Sequence, residues 1–205
     1  MSSSAPKKAV RKSDLTRARV MDSAARVLRQ RGYAGTRLIE IADHAGLLPA
    51  NIYYYFESKD ALIEQVMVVG VERSFAAVRE SVDALGPESA PVERLKAAIA
   101  AHLETNLAQD DYSSATIRCL GQVPDALRDR ILANERAFGR YWRTLILDCQ
   151  ADGSCRADLN PSAVRMLLIG MLNWAVEWYK PGGLKPHEIA AIAVTIFLDG
   201  VRNRG

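Results

Sequence analysis

Apolar residues recur at three- and four-residue spacings over almost all of this 205-residue chain, and no stretch alternates β-branched residues between hairpin turns. The first period belongs to amphipathic helices, the second to half-buried strands. An all-α fold is therefore predicted. The first helix is expected over about 14–31, with Val20, Ala24, Val27 and Leu28 as its apolar stripe and Gly32 as its stop. Thr36 is expected to N-cap a second helix, striped by Leu38, Ile41, Ala42 and Ala45 and ended by Gly46. A third follows over about 48–55, with Leu48, Ile52, Tyr55 and Phe56 on one face and Pro49 tolerated in its first turn. Ser58 caps a longer helix to about Asp83. Further helices open at Pro91, Pro124 and Pro186 and run to about Ala108, Ala151 and Arg202; a short one covers about 113–120, and Asn160-Pro161 starts one to about Tyr179.

Net charge is only +3, but its distribution is uneven. Residues 1–60 carry eleven Lys/Arg against six Asp/Glu, and the remainder sixteen against eighteen. A basic front end suits an anionic partner. Residues 1–12, with four Lys/Arg, three Ser and no aromatic residue, are expected to form a mobile basic arm. Three cysteines, Cys119, Cys149 and Cys155, make no disulfide framework and suit a reducing cytoplasm. The run 163–178 is interrupted by Arg165, Asn173 and Glu177, so no membrane span is expected. No G-x-S-x-G, P-loop, H-E-x-x-H or G-x-G-x-x-G is present, and the cysteines lack zinc spacing. Neither an enzyme, a cofactor nor a metal is expected.

Two short helices joined at Gly46, with another packed across them, match a helix-turn-helix, whose second helix enters the DNA major groove. Phosphates accept hydrogen bonds from hydroxyls, cations and helix N-terminal N–H groups. The candidates are Arg17, Thr36, Tyr53, Tyr54 and Lys59, with Lys7, Lys8, Arg11, Lys12 and Arg19 in support. For base edges the candidates are Arg37, Pro49, Ala50 and Asn51: Asn51 can pair adenine, Arg37 guanine, and Pro49 and Ala50 permit close approach.

The stretch from Gly32-Tyr33 through Thr36, Ile41-Ala42 and Ala45-Gly46 to Asn51-Ile52-Tyr53-Tyr54-Tyr55-Phe56, followed by Ser58-Lys59-Asp60-Ala61-Leu62, resembles the opening of a TetR-family regulator over about residues 14–66. The resemblance implies phosphate contacts for Thr36, Tyr53, Tyr54 and Lys59, and base contacts for Arg37 and Pro49 to Asn51. Leu48-Pro49-Ala50 departs from the Ser-Lys-Gly common at the recognition-helix start, which removes a phosphate-binding lysine. The segment Trp178-Tyr179-Lys180-Pro181-Gly182-Gly183 is similar to one in family members that regulate sterol and fatty-acid catabolism, several of which bind acyl-CoA thioesters; some carry Arg where this chain has Glu177.

Residues 13–60 are thus expected to form the DNA-binding domain and 61–205 a helical domain for ligand binding and dimerisation. Helices 163–178 and 189–201 are apolar on both faces, so each needs two partners. A homodimer interface is expected there through Met166, Trp174, Ile192, Ile196 and Phe197, and a two-fold pair of recognition helices suits a near-palindromic operator. A central position for both helices in a monomer is the alternative. Pocket candidates are Arg118, Phe138, Tyr141, Trp142, Trp174 and Trp178, with Tyr112, Arg140 and Arg143 beside them. The function expected is that of a cytoplasmic, ligand-responsive repressor, released from operator DNA by a small apolar effector, an acyl-CoA or another lipid-like compound. An activator or ligand-independent regulator of the same fold, and a small-molecule-binding enzyme with a helix-turn-helix front end, are the alternatives.

Overall fold

The computed structural model describes residues 11–108 and 110–201, and among these it contains α-helices and no strand. The expected basic arm lies mostly outside the described residues. Helix α1 (Lys12–Gly35) breaks at Gly32, whose φ of 68° an L side chain rarely adopts. Its first part therefore stops where expected. Tyr33 N then donates to Gln122 Oε1 at 3.0 Å, which fixes the break from outside. Helix α2 (Leu38–Ala45) ends in a left-handed Gly46, where Gly46 N reaches Asp43 O at 3.2 Å and Leu47 N reaches Ala42 O at 2.9 Å. Those two bonds satisfy carbonyls that a helix end leaves open. Helix α3 is only Pro49–Ile52, continued to Phe56 by turns.

Helix α4 (Lys59–Asp83) starts at Ser58, whose hydroxyl accepts from Ala61 N at 3.0 Å. Helices α5 (Pro91–Leu107), α6 (Asp111–Cys119), α7 (Asp125–Ala151), α8 (Pro161–Trp178) and α9 (Pro186–Val201) follow. Pro91 is the first residue of α5 as expected, and Asn160, read as a cap in the sequence, accepts from Ser162 N and Ala163 N. Asp110, which accepts from Ser113 N, starts α6 earlier than the apolar pattern suggested.

Two expectations about the front helices need correction. Thr36 does not cap α2: its hydroxyl donates to Gly32 O at 2.7 Å and its backbone N–H to Tyr33 O at 3.3 Å, closing the turn behind α1. Leu48 is not on the buried face of the third helix but 71% exposed, because the Gly46 turn rotates Leu47 inward in its place.

Two apolar clusters divide the interior. The front one joins Val20, Ala24 and Leu28 of α1 to Ile41, Ile52, Phe56 and the first half of α4, and it extends into Tyr112, Ala115 and Cys119 of α6 and Leu127 and Ile131 of α7. The rear one joins the second half of α4 to α5, α7, α8 and α9. Helix α4 belongs to both, and the core of the front unit continues well beyond residue 60. Each fully buried side chain, such as Ile41 or Ile63, contributes roughly 1.5–3 kcal/mol. At Gly70 α4 passes so close to α6 that an added Cβ would sit 2.4 Å from Thr116 Oγ1 and 2.6 Å from Tyr112 O. Gly70→Ala is therefore expected to destabilise the fold by about 1–3 kcal/mol, read as a lowered melting temperature. Gly170→Ala, which meets open space in α8, should show no such loss.

Candidate nucleic-acid interface and effector cavity

One end of the molecule presents α2, α3 and the turn after it. Arg37, Ala50, Asn51, Tyr53 and Tyr54 are exposed there, Tyr54 by 81%, and Pro49 is half-buried. Ile52 and Phe56 hold this surface from beneath, and Tyr54 and Tyr55 meet edge to face at 5.0 Å between ring centroids. Arg17 is exposed beside it; its guanidinium hydrogen-bonds Gln65 and lies 4.9 Å from the Phe56 ring centroid. Lys59 is half-buried, with its ammonium donating to Tyr33 O at 3.3 Å and standing 4.8 Å from the Tyr33 ring centroid. Thr36 does not join this surface. It is 2% exposed with both donors engaged. Leu48 joins it instead. Periodicity could not have found this, since it depends on how Gly46 turns the chain.

Behind this end, α4, α5, α6, α7 and α8 line a half-open cavity of about 680 Å³. That volume suits a small organic ligand. Its apolar wall includes Val71, Ile117, Phe138 and Ile169. Arg136, Arg140 and Arg143 line it from exposed positions on α7, and half-buried Arg165 lines it from α8. Among the described residues no carboxylate lies within ion-pair distance of Arg136, Arg140 or Arg143. Burial pushes the nearby Glu135 carboxyl above its usual value, with the Arg165 charge opposing.

Of the six sequence candidates for the pocket, Phe138 and Trp142 line the cavity and four do not. Arg118 is turned to Glu177, at 3.1 Å, and donates to Val176 O. Tyr141 packs on Phe75 at 5.5 Å between centroids. Trp174 and Trp178 are 67% and 50% exposed on the outer side of α8. Of the residues named beside them, Arg140 and Arg143 line the cavity, whereas Tyr112 belongs to the front core and donates to Asp22 at 2.8 Å. Met166, Leu167 and Trp174 of α8 and Ile192 and Ile196 of α9 are all exposed, and Met166 also lines the cavity; Phe197 of the expected interface is half-buried against the rear core.

The sequence reading missed the polar interior of the cavity. His102 and Asn106 of α5 and Asn173 of α8 line it, and all three side chains form one network. His102 Nε2 lies 2.9 Å and Asn106 Nδ2 3.2 Å from Asn173 Oδ1. One turn apart on α5, His102 and Asn106 fit a helix face, but only packing shows that the face lines a cavity.

A helix-turn-helix standing on a helical domain that contains a cavity defines a class of DNA-binding regulator. Residues 20–66 match the model of bacterial regulatory proteins of the tetR family, and residues 88–201 the tetracyclin repressor-like C-terminal domain. The chain belongs to the TetR family of DNA-binding transcriptional regulators, which are not enzymes. It is 28% identical to the HTH-type transcriptional repressor KstR2 of Rhodococcus jostii over 195 residues, 90% of each chain. It is 26% identical to a TetR-family regulator from Bordetella parapertussis, at a TM-score of 0.74 over 89% of this chain and 94% of that one. AibR, solved in complex with isovaleryl coenzyme A and operator DNA, has the same fold at a TM-score of 0.80 and 23% identity, over 88% of this chain and 97% of that one. Among the described residues no helix is long and apolar enough to cross a membrane.

Burial drives the His102 pKa down to about 4, against a smaller opposing effect of Asn173. The folded state thus keeps His102 neutral where an unfolded histidine, near 6.5, gains a proton. Its contribution to stability is full above about pH 6.5 and is lost progressively toward pH 4, at up to about 1.4 kcal/mol per pH unit. Thermal melts between pH 7 and pH 4.5 should show this slope, and His102→Gln should flatten it.

Proposed function

We propose that this protein is a cytoplasmic, homodimeric transcriptional repressor, released from a near-palindromic operator by an acyl-CoA or another lipid-like anion. The DNA reader is residues 13–60, and residues 61–205 bind the ligand and the second protomer. The observation that carries the effector reading is the cavity itself, a chamber with an apolar wall and three arginines without a carboxylate partner at its exposed rim. Guanidinium groups bind phosphate oxygens in pairs, and a CoA thioester combines phosphates with an apolar acyl chain. AibR is seen with isovaleryl coenzyme A and operator DNA, and KstR2 is named a repressor, which supports the same reading. Glu177 does not oppose it, because Arg118 neutralises that carboxylate away from the cavity.

On DNA, Tyr53, Tyr54, Arg17 and Lys59 hold phosphates. Arg37, Pro49, Ala50 and Asn51 face bases, and exposed Leu48 supplies an apolar contact for a thymine methyl. The exposed stripe of Met166, Trp174, Ile192 and Ile196 is the dimer face, which sets two recognition helices one DNA turn apart. Release works through α6 and α4. Ser113 and Thr116 of α6 line the cavity, while Asp111 pairs with Arg29 of α1 at 2.9 Å. A ligand that shifts α6 therefore shifts α1, and the two readers lose the spacing of successive major grooves.

Such coupling is typically about 1–3 kcal/mol, so saturating octanoyl-CoA should weaken operator binding about 5- to 150-fold in fluorescence anisotropy. Octanoyl-CoA bound in calorimetry with operator affinity unchanged would refute the release mechanism. In the same assay Asn51→Ala should relax preference at one base pair by about 1–3 kcal/mol, whereas Tyr54→Phe should weaken all sequences alike.

A further inference from the structure

The polar network inside the cavity is incomplete. Asn173 Oδ1 accepts from Asn106 Nδ2, so it is an oxygen acceptor, and the His102 Nε2 facing it at 2.9 Å carries the proton. With His102 neutral, its other ring nitrogen, Nδ1, is then a bare acceptor. That atom is buried and has no hydrogen-bond partner. Asn106 Oδ1 is a second buried acceptor in the same condition, and Trp142 Nε1 is a buried donor without a partner. The His102, Asn106 and Trp142 side chains are at least nine-tenths buried, and all three residues line the cavity. His102 and Trp142 meet edge to face at 5.7 Å between ring centroids, so the two rings are neighbours.

Leaving such atoms unpaired destabilises the site, and an apolar acyl chain would leave that cost in place. A ketone would accept from Trp142 Nε1–H but offer nothing to the two acceptors. A hydroxyl does both: its proton goes to His102 Nδ1 or Asn106 Oδ1, and its oxygen accepts from Trp142.

We propose that the effector carries a hydroxyl group on its buried part, which His102, Asn106 and Trp142 recognise. This rests on the reading of the cavity as an acyl-thioester site with arginines at its rim. The arginines hold the anionic end, and the inner polar set selects among acyl groups. A site built to bond a hydroxyl discriminates strongly against an analogue that lacks it, because its own groups are then left unsatisfied.

The test is a calorimetric comparison on the full chain of octanoyl-CoA, hydroxyoctanoyl-CoAs with the hydroxyl at each carbon from the third to the eighth, and the matching oxo-octanoyl-CoAs. One hydroxylated isomer is expected to bind about 10- to 100-fold more tightly than octanoyl-CoA and than its own oxo counterpart. In Asn106→Leu, with folding checked by its thermal melt, that ratio should fall toward one. Equal binding of the hydroxylated and plain thioesters overturns the proposal and leaves the acyl-thioester reading intact, with ordered water then completing the network. Preference for an oxo compound also overturns it, by reversing the donor and acceptor roles. Absence of binding by every thioester overturns both.

Discussion

Helices α4 and α6 cross at Gly70, where α4 presents no side chain, and α4 carries residues of both apolar cores on either side of that crossing. Thr116 closes it by donating to Met67 O of α4 at 3.1 Å and to Tyr112 O of its own helix at 3.0 Å. Helix α6 is nine residues long yet has two obligations. One side packs Ala115 and Cys119 into the front core, and Cys119 Sγ donates to Leu28 O of α1 at 3.5 Å. Another side gives Ser113 and Thr116 to the cavity wall. A packed interior does not deform continuously, so an element shared in this way passes a change on one side to the other.

The cavity owes its contrast in polarity to where helices expose their side chains. The arginines of α7 line the chamber from exposed positions. Of the inner groups, His102 and Asn106 of α5 are buried and Asn173 of α8 is half-buried. They bond one another as far as their donors allow, and burial removes the charge of His102. Rim and interior thus differ in kind: the rim supplies fixed positive charge, and the interior supplies neutral, directional hydrogen bonds.

Much of the helical framework could be read from the residues. Ser58 and Asn160 accept from the first free N–H groups of their helices, and Gly32 and Gly46 take the positive φ that ends theirs. These are local effects, complete within a few residues. The stripe of α1 was equally legible, with Val20, Ala24, Val27 and Leu28 all buried. Thr36 misled because its hydroxyl could turn forward to α2 or back to Gly32, and only the break in α1 decides between them. Trp174 and Trp178 misled for a different reason. On a helix apolar all round, periodicity cannot tell the side that meets its own domain from the side left outside.

The cavity marks the limit of that legibility. Phe138 and Trp142 were legible as large residues on a helical face, but Arg118 is diverted to Glu177, 59 positions away in sequence. His102, Asn106 and Asn173 became a single site only when α5 and α8 packed side by side. The sequence by itself determined most of the helices and the caps at Ser58 and Asn160, because hydrogen bonds and apolar stripes over a few residues set those. Tertiary packing alone decided which faces enclose the cavity and which polar atoms stay unpaired within it, because both depend on contacts between helices far apart in the chain.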